Sequence, residues 1–320
     1  ESVSALIGAQ SNQVFFTSGG TEANNTVMSY LHNHLMSGSR KTRIVTTSVE
    51  HSSILKMCDH LEAFGSDVVL LQVDGSGHLD LGQVDAAITP GTDLVSVQWV
   101  NNETGVIQPI EEIARMSSAR GVCFHTDAAQ AVGKIAIEVS DLPIDLLTLT
   151  AHKFHGPQGV GAIYAHCTSR FKPLLQGGPQ ELRIRPGTEN VPGIVGLGVA
   201  ANTRQKRLSD VTAHLRELRD RFEWLVIDQV DGVTVNGDVS ARAGNTSNLL
   251  FSGIDGQALV ARLDQMGVQC SQSSACTNSR PEPSYVLRAM GLSEQDAYSS
   301  VRFSFSELNT MDQIEYAAEK

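Results

Sequence analysis

The sequence lacks several features that would place it in a specialised class of protein. No apolar stretch reaches the roughly 18 residues that a membrane-spanning helix needs. Basic residues are in deficit, with 24 Lys and Arg against 35 Asp and Glu and a net charge of −11, and no basic cluster occurs. This charge balance argues against a surface for nucleic acid. We therefore expect neither membrane insertion nor direct binding of nucleic acid.

Cysteine is scarce, and its spacing argues against a disulfide framework. The odd number of cysteines, scattered along the chain, is typical of a reducing compartment, so we expect a cytoplasmic protein. No HxxxH or CxxC spacing favours a metal site among the histidines and cysteines. The five cysteines are Cys58, Cys123, Cys167, Cys270 and Cys276.

Short apolar runs alternate with helical patterns from about residue 14 to 166. This order predicts βαβ units and a mostly parallel sheet flanked by helices, which is an α/β fold. Buried strands are predicted at Leu94–Val100, Val122–Thr126 and Leu146–Thr150, and each run ends in polar residues. Because ligands gather at the carboxyl ends of such strands, we expect a functional site there.

The pattern changes near residue 205. We predict an amphipathic helix over Val211–Ile227, followed by shorter strands and helices with turn residues around them. A large domain over 1–208 and a smaller α+β domain over 209–320 are therefore expected. The first and last ten residues resemble parts of helices, so we expect the chain to be truncated at both ends. The short strands are predicted at Val233–Val235, Ser247–Phe251, Val268–Cys270 and Val301–Ser304.

A lysine follows one of the predicted buried strands. Lys153 comes three residues after Thr150, and a lone lysine at such a place is usually just exposed. Thr150 and His152 can donate to a phosphate. Burial would lower the pKa of Lys153, which favours the neutral amine that attacks a carbonyl. Lys153 is therefore a candidate for a Schiff base.

Asp127 follows the neighbouring predicted strand, and Gln130 lies three residues further on. An Asp after a strand is commonly a helix N-cap. A carboxylate facing a ring nitrogen, together with a Schiff-base lysine, is also what pyridoxal phosphate requires. Gln130 would then reach the ring hydroxyl. The presence of Lys153 favours the cofactor interpretation without excluding the cap.

A glycine turn precedes the first long predicted helix. Gly20 and Thr21 would lie at a helix N-terminus, which binds phosphate well. The Gly-Gly-Thr sequence is weak evidence alone, because many turns between a strand and a helix look alike. Glu22 would be unfavourable beside a phosphate unless its side chain turns away. His51 follows a strand-like stretch, and a structural or a catalytic role remains open for it.

Two further candidates lie in the second half of the chain. Cys276 occurs in a run of small polar residues without hydrophobic periodicity, so we expect an exposed thiol that can act as a nucleophile. Arg302 ends a strand-like segment. It can bind a carboxylate in bidentate fashion or form a surface ion pair, and both interpretations remain open.

Taken together, these segments resemble the cysteine desulfurases of the NifS/IscS type, which are fold-type I pyridoxal-phosphate enzymes. The SSACT sequence is similar to the group with the longer cysteine loop, and the short form with paired histidines is absent. The resemblance rests on ordered motifs: TSGGTEANN at 17–25, VEHSSI at 49–54, VNNETG at 100–105, HTDAAQAVGK at 125–134, TAHKFHGPQGVG at 150–161, RPGTEN at 185–190 and SSACTNSRPEPSYVLRAMG at 273–291.

The resemblance implies conversion of L-cysteine to L-alanine. It implies that Lys153 carries the cofactor and moves the Cα proton, that Cys276 takes the sulfur as a persulfide, and that His51 stacks on the ring. Thr188 is implied to come from the other subunit of a homodimer. The remaining implied contacts to cofactor or substrate are Gly20, Thr21, Asn102, Asp127, Gln130, Thr150, His152 and Arg302.

The resemblance also implies a protein sulfur acceptor, such as an iron–sulfur cluster scaffold, and the chain departs from the family at three places. Pro179 stands where the family usually has glycine, and Leu182 where it commonly has arginine. From the resemblance we also expect this chain to lack the family's DNNATT-like N-terminal segment and the C-terminal helix that docks acceptors. Alternative functions are a selenocysteine lyase, a desulfurase dedicated to sulfur modification of DNA or tRNA, and a non-catalytic scaffold.

Overall fold

The computed structural model describes residues 1–36, 41–167, 173–272 and 282–320, which form two compact units. The first unit contains residues 1–71, 79–100 and 108–208. The second contains residues 72–78, 101–107 and 209–320. Among the described helices, none has the length and apolar content that crossing a bilayer requires.

The first unit is built around a seven-stranded sheet with the strand order β1-β7-β6-β5-β4-β2-β3. Strands β6, β5, β4, β2 and β3 pair in parallel. Strand β7 pairs antiparallel with β6, and β1 pairs antiparallel with β7. The prediction of a mostly parallel α/β sheet is therefore confirmed. Its elements are α1 (Ser2–Ile7), β1 (Val14–Thr17), α2 (Gly20–Met36), β2 (Arg43–Thr47), α3 (Ser52–Ala63), β3 (Asp67–Leu71), α4 (Leu81–Ala87), β4 (Leu94–Ser96), α5 (Ile110–Ala119), β5 (Cys123–Asp127), β6 (Leu146–Thr150), β7 (Gly161–Ala165) and the first part of α6 (Val191–Gln229).

The core of the first unit explains why α2 and α3 form where they do. Ala23 and Val27 of α2 are four residues apart, and Ile54, Cys58 and Leu61 of α3 follow the same helical spacing. All five side chains are at most 3% exposed and belong to one apolar cluster. Each large aliphatic side chain buried in this way stabilises the fold by about 1.5–3 kcal/mol. These contacts hold the N-terminal turns of both helices against the sheet.

The second unit has a three-stranded antiparallel sheet in the order β10-β9-β8. Phe222 of α6 packs on Phe303 of this sheet, with ring centroids 4.7 Å apart. The small α+β architecture predicted for this half is what its elements form. They are β8 (Val233–Val235), β9 (Thr246–Phe251), α7 (Gly256–Gln265), α8 (Tyr285–Ala289), α9 (Glu294–Tyr298), β10 (Ser300–Ser304) and α10 (Met311–Glu319).

Several predicted boundaries are wrong for identifiable reasons. The predicted helix Val211–Ile227 is the second half of the much longer α6, whose first turns carry exposed valines that break the amphipathic pattern. No strand covers Val268–Cys270, because pairing begins only at a single bridge between Ser271 and Arg302. Strand β7 was not predicted, since five small and apolar residues beside a glycine loop give no clear period.

Gly161 of β7 permits a close approach between three segments. It pairs with Thr17 and with Thr150. A Cβ at this position would lie 2.7 Å from the carbonyl oxygen of Leu149 and 2.8 Å from Cα of Gly19. Only a residue without a side chain fits there, so Gly161 sets the distance between the end of β6 and the turn that begins α2.

We expect Gly161→Ala to lower the free energy of unfolding by about 1–3 kcal/mol, because the added methyl overpacks backbone that cannot easily move. Urea denaturation monitored by circular dichroism measures the change. Gly91→Ala is the matched control, since a methyl at Gly91 would meet no described atom within 4 Å. Equal stability of the Gly161→Ala protein and the wild type would contradict this account of β7.

Candidate functional site

The candidate site of the first unit lies at the carboxyl ends of β5 and β6. These strands are parallel neighbours, so the residues that follow them lie at the same edge of the sheet. Asp127 ends β5 and Thr150 ends β6. Lys153 belongs to the short 3-10 turn Ala151–Phe154 that follows β6. The structure therefore brings together the two strand ends from which the sequence prediction started.

Asp127 is a buried carboxylate with hydrogen bonds to both oxygens. It is 3% exposed. Its Oδ1 accepts the backbone N–H of Ala129 at 2.9 Å, and its Oδ2 accepts the Nδ2–H of Asn24 at 2.8 Å. Asn24 in turn accepts the Thr148 hydroxyl at 2.6 Å, which fixes the orientation of its amide. The helix N-cap interpretation of Asp127 is wrong, because turns and not a helix follow β5; Oδ1 instead closes a local turn with Ala129, and Oδ2 depends on Asn24 of α2.

A chain of hydrogen bonds connects Asp127 to His51. Asn24 also donates to Ser53 Oγ at 2.9 Å, and Ser53 Oγ lies 2.8 Å from His51 Nδ1. His51 Nδ1 accepts the backbone N–H of Ser53 and so caps α3. Because Nδ1 accepts, a neutral His51 carries its proton on Nε2. The structural and the functional interpretations of His51 are thus compatible.

The glycine turn lies beside Thr150. A Cβ on Gly20 would lie 3.7 Å from the Thr150 Cβ, and α2 begins at Gly20 with its first backbone N–H groups directed out of the helix. Thr21 is exposed, and Gly20 is half-buried. Thr150 Oγ1 is 3.1 Å from His152 Nδ1. This edge of the sheet offers several donors to an anion.

Glu22 does not oppose that anion site. Its Oε1 accepts from Arg185 Nε at 2.8 Å, and its Oε2 accepts the N–H of Ser18 at 2.9 Å. Partial burial alone would raise the pKa of Glu22, but the hydrogen bonds from Arg185 and Ser18 outweigh it and lower the pKa. The Glu22 carboxylate therefore pairs with Arg185 of the RPGTEN motif. This is the arrangement in which Glu22 does not disfavour a phosphate at the start of α2.

The environment of Lys153 differs from the prediction in one respect. Lys153 is exposed, so its expected burial is wrong. The buried lysine of this region is Lys134, 7% exposed, whose Nζ donates to Gln130 Oε1. Burial, with the charges of Lys153 and Arg204, lowers the pKa of Lys134 to about 7. Partial burial and the two lysine charges also lower the pKa of His152.

Glu50 is a buried carboxyl group that sequence reasoning missed. Its side chain is 0% exposed, and Oε1 accepts the hydroxyl of Thr47 and the backbone N–H of Gln98, each at 2.8 Å. Burial, reinforced by the negative charge of Asp127, raises the pKa of Glu50 to about 8. Its place in the VEHSSI motif, directly before His51, was the available signal.

Asn102 and Arg302 meet in the second unit. Arg302 Nη1 donates to the backbone carbonyl of Asn102 at 3.2 Å, so the main chain of Asn102 makes this contact. The backbone of Arg302 also pairs with Ser271, with N···O distances of 2.6 and 3.0 Å. The described chain ahead of Cys276 thus runs beside Arg302 up to Gln272. Cys276 itself lies outside the described residues.

The segment before RPGTEN, where the sequence departs from the family, has unusual backbone geometry. Glu181, Leu182 and Arg183 all have positive φ, between 47° and 67°. Glu181 Oε2 accepts the N–H of Phe16 at 2.8 Å, which ties this segment to β1. Leu182 is 72% exposed, and Thr188 is exposed as well.

The raised pKa of Glu50 predicts a specific pH dependence of stability. Between its ordinary value of 4.5 and about 8, the folded protein keeps a proton that the unfolded chain releases. The free energy of unfolding should therefore fall as the pH rises through this range. Glu50→Gln should remove this fall and stabilise the protein at pH 8.5 by on the order of 3 kcal/mol.

Urea titrations at pH 5, 7 and 8.5 measure this effect. Glu62→Gln is the matched control, because Glu62 is an exposed residue of the adjacent helix α3. Parallel pH profiles for Glu50→Gln and the wild type would show that Glu50 is ionised in the folded protein.

Comparison with known proteins gives the site a family context. The family model described as Aminotransferase class-V matches residues 1–317. The cysteine desulfurase of Trichormus azollae is 44% identical over 319 residues, which cover 100% of this chain and 79% of that protein. A solved NifS-like protein has a TM-score of 0.91 at 32% identity, covering 99% of this chain and 84% of that one. SspA in complex with cysteine has a TM-score of 0.84 at 34% identity, covering 97% and 86%.

These matches span nearly the whole chain and agree with each other. They confirm the resemblance that the ordered motifs predict. The chain belongs to the aminotransferase class-V family and is a relative of its cysteine desulfurases.

Proposed function

We propose that this protein is a cysteine desulfurase that converts L-cysteine to L-alanine and keeps the sulfur as a persulfide on Cys276. The observation that carries the proposal is the buried, hydrogen-bonded carboxylate of Asp127 at the strand end next to that of Lys153. Members of this family depend on pyridoxal phosphate. The curated relative of 44% identity is named for this activity.

The residues present fit pyridoxal phosphate. Asp127 is the carboxyl partner that a protonated pyridine nitrogen needs, and Asn24 orients it by donating to Oδ2. The N-terminus of α2 at Gly20, with Thr150 beside it, suits a phosphate. When bound, the cofactor withdraws electrons from the substrate Cα. Thr21, His152 and, from a second subunit, Thr188 are proposed as further phosphate contacts.

The side chains of this chain then divide the work. Lys153 holds the cofactor through its amine and moves the proton at Cα. His51 lies against the ring, with its proton on Nε2 because Nδ1 accepts the Ser53 N–H. Gln130 donates to the ring oxygen. Each role is proposed from the contacts described above and from the family motif that carries the residue.

The substrate contacts are proposed for the second unit. Arg302 binds the substrate carboxylate, and Asn102 assists. Arg302 uses Nη1 for the Asn102 carbonyl, and its buried Nε has no hydrogen-bond partner among the described residues, so donor capacity remains. SspA, one of the similar structures, was solved in complex with cysteine, which supports cysteine as the substrate class.

Sulfur transfer requires the thiolate of Cys276. The thiolate attacks the substrate sulfur, an S–S bond forms, and the Cβ–S bond of the substrate breaks. The electron pair of that bond stays with the carbon skeleton, which takes up protons and leaves as alanine. The sum, cysteine plus thiol giving alanine plus persulfide, balances without an external oxidant or reductant.

Three variants test this function by two measurements, the visible absorption band of bound pyridoxal phosphate and the formation of alanine and sulfide from L-cysteine. Lys153→Ala should lack the visible band that the wild type has. Cys276→Ala should keep the band and lose activity by about 100-fold or more, because the sulfur acceptor is gone. Cys167→Ala is the matched control, since Cys167 is an exposed cysteine, and it should retain full activity.

The same measurements separate the alternatives. A wild type that cannot be reconstituted with pyridoxal phosphate would contradict the proposal and favour a scaffold. Full activity of Cys276→Ala on L-cysteine would assign the acceptor role to another thiol. Full activity of that variant on L-selenocysteine, with loss on L-cysteine, would instead identify a selenocysteine lyase.

A homodimer is proposed from an exposed apolar stripe on α6. Val191, Val195 and Val199 are four residues apart, so they share one face of the helix, and they are 59%, 59% and 61% exposed. Leu182, 72% exposed, adds to the apolar surface of the same unit. A stripe of this kind on a helix marks an interaction site, and we propose a second copy of this chain as its partner.

We expect Val195→Glu to convert the dimer into a monomer at micromolar concentration, because the interface would have to bury an unpaired carboxylate. Light scattering after size exclusion measures the mass. Val239→Glu is the control, since Val239 is also exposed, at 62%, but lies in the second unit. A wild type with the mass of one chain would rule out this dimer.

The destination of the sulfur is proposed from chemistry alone. A persulfide is passed to an acceptor thiol, so we propose a protein acceptor such as an iron–sulfur cluster scaffold. The odd number of cysteines, scattered without framework spacing, supports a reducing, cytoplasmic location.

A further inference from the structure

Lys134 is a buried lysine to which the proposed mechanism gives no role. Its side chain is 7% exposed, and buried lysines are rare because the charge loses its hydration. The charges of Lys153 and Arg204 make its position more costly still, since both are cations. A group held at such a cost needs a local reason, and its contact with Gln130 provides one.

The backbone around Lys134 is firmly held. The N–H of Lys134 donates to the carbonyl of Ala131 at 3.0 Å. Gly133 has a φ of 76°, and a Cβ there would lie 2.9 Å from Cβ of Phe154 and 3.0 Å from Cγ of Arg204. The turn that carries Lys134 therefore packs against the residue that follows Lys153, and its lysine has little freedom to move away.

The contact with Lys134 decides which way the Gln130 amide points. A glutamine amide has an acceptor oxygen on one side and a donor NH₂ on the other, whereas an ammonium can only donate. With Oε1 directed at Lys134 Nζ, the Nε2 group must face the opposite side. Without Lys134, the two orientations of the amide would be close in energy.

The ring oxygen of pyridoxal phosphate carries negative charge and needs a donor. We propose that Lys134 is a positioning residue that locks the Gln130 amide with its NH₂ toward that oxygen. This inference rests on the proposed function, in which Gln130 contacts the ring. The negative charge of a bound phosphate would favour the ammonium form of Lys134.

The absorbance of the bound cofactor reports on this donor. A hydrogen bond to the ring oxygen weakens the hold of that oxygen on the proton shared with the Lys153 nitrogen. Loss of the bond should therefore raise the pH midpoint of the visible band. We expect Gln130→Ala and Lys134→Met each to raise the midpoint by about one pH unit, the scale of one hydrogen bond to a charged group.

A double-mutant cycle tests whether Lys134 acts through Gln130. In a Gln130→Ala background, Lys134→Met should move the midpoint by less than about 0.3 pH unit, because the amide to be oriented is absent. Lys134→Arg, which also only donates, should restore the wild-type midpoint. If Lys134→Met shifted the midpoint as much in the Gln130→Ala background as it does alone, Lys134 would act by a direct charge effect, and the proposal would be overturned. A shift in Lys134→Arg as large as that in Lys134→Met would also overturn it.

Folding is checked separately by thermal unfolding. If Lys134→Met does not fold, Lys134→Ser replaces it in the same cycle, because serine leaves room for water. The outcomes also separate the two proposals. Absence of a visible band from the wild type overturns the proposed function, and this inference with it. A normal band with additive midpoint shifts overturns only the role of Lys134.

Discussion

The architecture of the site depends on supplying hydrogen bonds to one carboxyl group buried inside the protein. Asp127 is 3% exposed, and a buried polar group is costly unless hydrogen bonds replace those that it would make with water. The backbone of Ala129 supplies one such bond, and Asn24 supplies the other. The second bond requires α2 to lie across the ends of β5 and β6. The packing of α2 on the sheet therefore also satisfies the buried carboxyl group of Asp127.

Absence of side chains is as important to this arrangement as the polar groups. Gly161 lets β7 approach Gly19, the residue directly before α2. The same helix thus presents backbone N–H groups at its first turn and the Asn24 amide one turn later. An anion site and a support for Asp127 come from a single element, because the strand ends beneath it are closely spaced.

The sequence predicts those parts of the site that follow from local pattern. Lys153 and Asp127 could be found because apolar runs mark buried strands and the next polar residue marks the strand end. Asn24, Glu50 and Lys134 were missed, although each stands inside a quoted motif. Their roles depend on hydrogen bonds and burial that arise only when distant segments pack, and no spacing rule encodes burial of a charged residue.

Glu50 and Lys134 have opposite charges and respond to burial in opposite directions. Desolvation raises the pKa of Glu50 to about 8 and lowers that of Lys134 to about 7, so each is moved toward its neutral form near pH 7. Burying both therefore adds less net charge near pH 7 than two fully ionised side chains would. An arriving anion would favour the charged form of Lys134. Under the proposed function, binding of phosphate at the start of α2 and the orientation of Gln130 would be coupled through one buried amine.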